Sequence, residues 1–102
     1  MPPMEKELGE DHARQLAEVF HLLGDSNRLR LVLACLEEPV SVNALAERLG
    51  LSASLVSHHL RLLKAARLMR AHREGKQVYY QAADEHVRRM LADMVEHLLE
   101  PA

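Results

Sequence analysis

The chain has 102 residues, one cysteine and a formal net charge of −2. That length holds one domain with a single modest core, and 48% hydrophobic residues exclude a disordered tail. No apolar run approaches the roughly 18 residues of a membrane span, the first residues lack the basic and then apolar blocks of a secretory signal, and one cysteine excludes an intramolecular disulfide or a thiolate cluster within the chain, so a cytoplasmic setting is expected.

The charge is unevenly placed. Residues 1–25 hold six acids against two bases, Lys6 and Arg14. Residues 51–76 hold six bases (Arg61, Lys64, Arg67, Arg70, Arg73, Lys76) against one acid, Glu74, which makes that stretch +5. Local charge sets the footprint on a polyanion. Charge alone leaves open a DNA face or a solvated basic surface.

Residues 1–9 are expected to be flexible, and 1–102 to form a single domain. A helical pattern runs from Glu10 to Leu23, with Leu16, Phe20 and Leu23 on one side. Gly24-Asp25-Ser26 breaks it, and Asp25 or Ser26 can cap the next helix. That helix is expected to reach about Glu37 and to end before Pro39, with Leu29, Val32, Leu33 and Leu36 core-spaced. Cys35 reads there as a small buried hydrophobe.

Ser41 can cap a short helix through Leu49. Gly50 then supplies a turn and Ser52 a second cap. Two short capped helices around a glycine, over 41–66, make a helix-turn-helix pattern. On the second helix Ser54, Ser57, His58, Arg61 and Lys64 share a polar arc of about 120°. Leu55, Val56, Leu60, Leu62 and Leu63 fill the other side. Serine hydroxyls and an imidazole near the leading end can read base edges, while Arg61 and Lys64 can reach phosphates. The same arc also fits the solvated face of an amphipathic helix. His59 sits among the leucines and reads as a satisfied core or interface histidine.

Beyond Ala66 the pattern turns extended. Leu68–Arg73 and Gln77–Gln81 are strand candidates, with Glu74-Gly75 as a tight hairpin turn. The hairpin, within 68–81, is basic at both shoulders, Arg73 and Lys76. It reads as a wing that touches phosphate or the minor groove.

The last helix, 84–100, carries Asp84, His86, His97 and Glu100. His86, His97 and Glu100 fall within an arc of roughly 60°, yet the two histidines lie about 16 Å apart along the axis. One helix cannot bring both to an ion whose metal–nitrogen bonds are about 2 Å long. Two copies packed antiparallel can, with two equivalent sites per dimer. The stripe Val87, Leu91, Met94 and Leu98 beside these residues needs a dimer partner in any case. Asp84 is equally placed as a helix cap. Two imidazoles and two carboxylates suit Zn2+, with Co2+ as a mimic. Ni2+ prefers more ligands, and His12 can supply one.

Three segments together carry a family resemblance. Leu23-Gly24-Asp25-Ser26-Asn27-Arg28-Leu29-Arg30-Leu31, then Leu55-Val56-Ser57-His58-His59-Leu60-Arg61-Leu62-Leu63, then Arg73-Glu74-Gly75-Lys76 with Tyr79-Tyr80 resemble the ArsR/SmtB family. The resemblance implies a homodimeric winged helix-turn-helix repressor that leaves DNA on binding its inducer. The fold expected is mainly α with a small β-hairpin. Asp84, His86, His97 and Glu100 resemble the family's zinc-sensing site on the last helix. Other branches sense arsenite, cadmium or lead through cysteines on the helix before the recognition helix, and here Val42–Leu49 has none.

No enzymatic reading competes. No nucleophile is placed beside a base, no glycine-rich phosphate loop is present, and four protein ligands leave zinc no open position for water. The function expected is a zinc-responsive repressor. Its metal-free dimer binds operator DNA and is released by metal bound across the dimer interface, which derepresses metal efflux or sequestration genes. Two alternatives stand beside it: a family regulator that senses a non-metal ligand, and a cytosolic metal-binding or interaction protein that does not bind DNA.

Overall fold

The computed structural model describes residues 3–101. The elements in chain order are α1 (Met4–Glu7), α2 (Glu10–Leu23), α3 (Ser26–Ala34), β1 (Val40–Ser41), α4 (Val42–Leu49), α5 (Ala53–Ala65), β2 (Met69–Glu74), β3 (Gln77–Ala82) and α6 (Glu85–Leu99). No helix among the described residues is long and apolar enough to cross a membrane. Within the stretch expected to be flexible, Met1 and Pro2 lie outside the described residues, and Met4–Glu7 forms one helical turn with no buried residue.

Four helices start on a side-chain cap. Asp25 accepts from the Arg28 amide at 3.0 Å, Ser41 from Ala44 at 3.1 Å, Ser52 from Leu55 at 3.1 Å, and Asp84 from Val87 at 3.0 Å. Each satisfies an amide that the first turn would leave orphaned. α4 ends in a Schellman motif: Gly50 sits at φ 67°, the Gly50 amide donates to the Glu47 carbonyl and the Leu51 amide to that of Ala46. α5 ends the same way, with the Arg67 amide on the Lys64 carbonyl and the Leu68 amide on that of Leu63. Its left-handed residue is Arg67, at φ 64°.

Three details differ from the sequence reading. α3 stops at Ala34, three residues before Glu37, because Cys35 and Leu36 donate to the carbonyls of Val32 and Leu33 and so tighten the last turn. The hairpin is the larger part of a three-stranded antiparallel sheet of order β1-β3-β2, since Val40 pairs with Tyr80 and Ser41 with Tyr79. The wing strands begin at Met69, and Glu74 pairs with Gln77. The two-residue turn is therefore Gly75-Lys76, with Gly75 at φ 61°, as the hairpin turns that match strand twist require.

The core lies between α3, α4, α5 and the inner face of the sheet. Leu31, Val32, Cys35, Leu45, Val56, Leu60 and Leu63 have no exposed surface. Met69, Tyr80 and Ala82 close it from the sheet side. The Arg28 guanidinium donates to the Leu22 carbonyl at 2.7 Å and so holds α3 against the end of α2. The molecule is more extended than its length requires. Its radius of gyration is 15.1 Å, against about 13 Å for a compact chain of this size. The excess comes from α2 and α6, which reach past the core with few buried residues of their own, Leu22, Leu23 and Leu91.

The two Schellman turns make opposite predictions. Gly50→Ala forces a Cβ into the left-handed region and should lower stability by about 1 kcal/mol. Arg67→Gly removes that strain and should raise stability by about 0.5–1 kcal/mol. Urea unfolding at one protein concentration reads both.

Candidate nucleic-acid interface and metal-binding helix

Burial of one side of α5 decides where its other side points. Val56, His59, Leu60 and Leu63 face the core. Ser54, His58, Arg61 and Lys64 are exposed and Ser57 is half-buried, all on the outer side. Leu55 and Leu62, expected on the apolar side, lie at its border and are partly exposed. His59 is buried as expected but not satisfied, because its Nδ1 has no hydrogen-bond partner.

The wing continues that surface. Arg73 and Lys76 at its tip are exposed. Among the described residues, none of the six bases of 51–76 has a carboxylate within 4.0 Å. Two arginines elsewhere do pair, Arg14 with Glu10 at 2.9 Å and Arg88 with Glu85. The α5–wing surface is thus cationic and free to meet phosphates.

On α6 the four metal-ligand candidates divide into two ends. Asp84 is the N-cap, and its Oδ1 lies 3.7 Å from His86 Nδ1. His97 is in the last turn and Glu100 is the C-cap. All four are exposed, with the His86 side chain 93% accessible. The hydrogen bond from the Val87 amide, and then the charge of His86, hold the Asp84 carboxyl below the usual carboxylate range. Asp84 is therefore ionised, as a ligand must be. Among the described residues no three such side chains of one chain converge, in keeping with two ends that cannot meet within one helix.

The apolar flank of α6 is uncovered. Of the expected stripe, Leu91 is buried and Val87 half-buried, while Met94 and Leu98 are exposed, Leu98 at 78%. Leu99 and Val95 extend the exposed patch, and on α2 Leu16 and Phe20 are open rather than core. A groove beside α6 is lined by Phe20, Leu29 and Met94, and a second by Leu33, Val95 and Leu99. A third, between α2 and α6, is lined by His12, Leu16, Asp84, His86 and Met90. Sequence reasoning missed Val95 and Leu99, whose signal was a second apolar row one residue along from the chosen stripe. Cys35 is buried, and burial pushes its thiol up to about 12, so it is inert as a metal ligand or nucleophile.

Known proteins resemble this chain in sequence and fold. The family profile described as "Bacterial regulatory protein, arsR family" matches residues 25–70. A transcriptional repressor SmtB homolog of Synechocystis is 42% identical over 88% of this chain and 68% of its own. A cadmium resistance transcriptional regulatory protein CadC homolog of Staphylococcus aureus is 35% identical over 95% of this chain and 81% of its own. Among solved structures, a homodimeric winged helix-turn-helix DNA-binding domain of Mycobacterium bovis superposes with a TM-score of 0.78 at 28% identity. It covers 98% of this chain and 94% of its own.

Asp84 has a structural role separable from any metal. Asp84→Ala should lower the thermal stability of metal-free protein, whereas Asp84→Asn, an equally good cap, should change it little. The folded carboxyl titrates below its unfolded value. Its charge-dependent contribution is therefore present above about pH 4 and lost as pH falls through the folded value. Thermal unfolding of the variants in chelator at pH 7, and of the wild type from pH 5 downward, checks both.

Proposed function

This chain belongs to the ArsR family of bacterial regulatory proteins, and we propose that it is a homodimeric, zinc-responsive transcriptional repressor acting in the cytoplasm. It is a DNA-binding regulator and not an enzyme. The observation that carries the metal reading lies on α6. Two nitrogen–oxygen pairs stand at opposite ends of a helix whose apolar residues Met94, Val95, Leu98 and Leu99 are exposed. The homodimeric relative supports a second copy as their partner. Packed antiparallel, two copies of α6 set Asp84 and His86 of one beside His97 and Glu100 of the other.

The donor set fits a divalent cation. Two neutral imidazoles and two carboxylates balance its charge, and nitrogen and oxygen donors in four-fold coordination suit Zn2+, with Co2+ as a mimic. The cadmium-regulator relative keeps other metals in view. For Ni2+, which takes more ligands, His12 on the wall of the same groove is the extra donor. When bound, the ion supplies a bridge between the two chains.

The residues then divide the work. Ser54, Ser57 and His58 read base edges in the major groove, while Arg61, Lys64, Arg73 and Lys76 hold phosphates. Two α5 helices must enter successive major grooves about 34 Å apart. Their separation depends on the angle between the two α6 helices. Ligands drawn together across the seam fix that angle and misplace one α5 relative to the other. Operator release then opens genes of metal efflux or sequestration. By linkage, DNA and metal must weaken each other's binding by one common factor.

Two experiments test this, both with a duplex enriched from random DNA by the metal-free protein. In the first, wild type sediments as a dimer, binds that duplex in chelator and leaves it on Zn2+ addition. His97→Ala should remain a dimer on DNA with Zn2+ present. Release of that variant at the wild-type zinc concentration would remove the switch from α6. In the second, Ser57→Ala should lose about 1–3 kcal/mol of discrimination between the enriched duplex and random DNA. Lys76→Ala should weaken both equally and lower the salt slope by about one per wing. Gel shift across a salt series separates the two behaviours.

A further inference from the structure

The wing carries a second chemistry on the face turned away from the core. Alternation along β2 places Arg70, His72 and Glu74 on that face, and the register sets them opposite Gln81, Tyr79 and Gln77 of β3. His72 is stacked on Tyr79, with ring centroids 5.6 Å apart and planes 15° from parallel. Its Nε2 lies 3.3 Å from the Glu74 carboxylate. The stack and the strand pairing hold the imidazole in place although its side chain is 39% exposed. Glu74 is the one acid of the basic stretch, and it stands between Arg73 and Lys76.

We propose that His72 and Glu74 make the wing's hold on DNA proton-dependent. The proposal rests on the reading of the wing as a phosphate contact. With His72 neutral, Arg73, Glu74 and Lys76 give the tip a charge of +1. With His72 protonated, the imidazolium offsets the Glu74 carboxylate beside it and the tip and its shoulder carry +2. A polyanion favours the second state, so DNA binding takes up a proton at His72 and affinity rises as pH falls. The charged and titratable groups that face His72 are few. Glu74 lies beside it on β2, Arg70 is two residues away on the same face, and Tyr79 and the glutamines stand opposite on β3. On β1, Ser41 pairs with Tyr79 and brings no charge. The α5 bases lie beyond the other face of the sheet.

The direction matters for a repressor. Falling pH tightens the protein on DNA through a group remote from the metal-ligand candidates on α6. Each wing takes up at most one proton, so affinity can change by at most about tenfold per pH unit per wing. An exposed pair of this kind should give about two- to fivefold per wing in total.

The test uses metal-free dimer in chelator, the enriched duplex and constant ionic strength from pH 8.5 to pH 5.5. Wild type should bind more tightly as pH falls. His72→Gln should show a flatter profile than wild type. Glu74→Gln should bind more tightly than wild type at pH 8 and show its remaining rise at lower pH, since His72 has lost the partner that favours its charge. In parallel, the His72 ring signals followed by NMR should titrate at higher pH in the DNA complex than in the free dimer. Identical pH profiles for wild type and His72→Gln, or identical titration free and bound, would overturn the proposal. If no protein of the set binds any duplex in chelator, the DNA reading falls and this one with it. If all bind, with profiles that ignore His72, this proposal fails alone. His72→Gln opens no core position, and its unfolding midpoint should match that of wild type.

Discussion

Val56, Leu60 and Leu63 have no exposed surface, and the rest of the molecule is arranged around their burial. Fully burying side chains of this size contributes about 1.5–3 kcal/mol each. Rotating α5 would expose all three at once, so the helix has one orientation. Ser54, His58, Arg61 and Lys64 then face outward as a consequence of that burial. The sheet depends on the same burial. Met69, Tyr80 and Ala82 are buried on its inner side, which aims the hairpin past the end of α5. Helix α5 and the hairpin are two edges of one packed body, so burial sets their relative placement.

The opposite condition governs α2 and α6. Their apolar residues exceed what one chain can cover, and the extended shape of the molecule follows from it. An exposed apolar patch of this kind marks an interaction surface. In the regulator proposed above it also has a use, since a seam of two such helices would be held by area and ligands at its ends would bias its angle. Asp84 shows how economically this is built. One carboxylate starts α6 by accepting from Val87 and stands beside His86 as a candidate ligand. Helix capping keeps it ionised, and ionisation is what a cation needs.

Local signals were legible in the residues. Asp25, Ser41, Ser52 and Asp84 cap the helices they were expected to cap, because capping involves atoms three residues apart. The glycines at 50 and 75 sit at positive φ, because few other residues tolerate it. The two-sided α5 followed from helical periodicity alone. Misses came where a distant partner decided the outcome. β1 is two residues long and exists because β3 pairs with it. No periodicity can appear in Val40-Ser41. Arg67 takes a place that glycine usually fills, so its composition concealed the turn. Leu16 and Phe20 share one side of α2 with Leu23, as the spacing predicts, and within one chain they remain exposed.

The sequence by itself determined the helix-turn-helix, the wing, the basic stretch and the placement of Asp84, His86, His97 and Glu100 at two ends of one helix. These are properties of periods, caps and spacings, and each is settled within a few turns of backbone. Tertiary structure decided which apolar residues are core and which are left for another chain. It also decided that, among the described residues, the bases of 51–76 have no carboxylate within 4.0 Å, and that His72 lies against Tyr79 and Glu74. Those outcomes depend on which surfaces meet, and burial and strand register join residues that spacing along the chain does not relate.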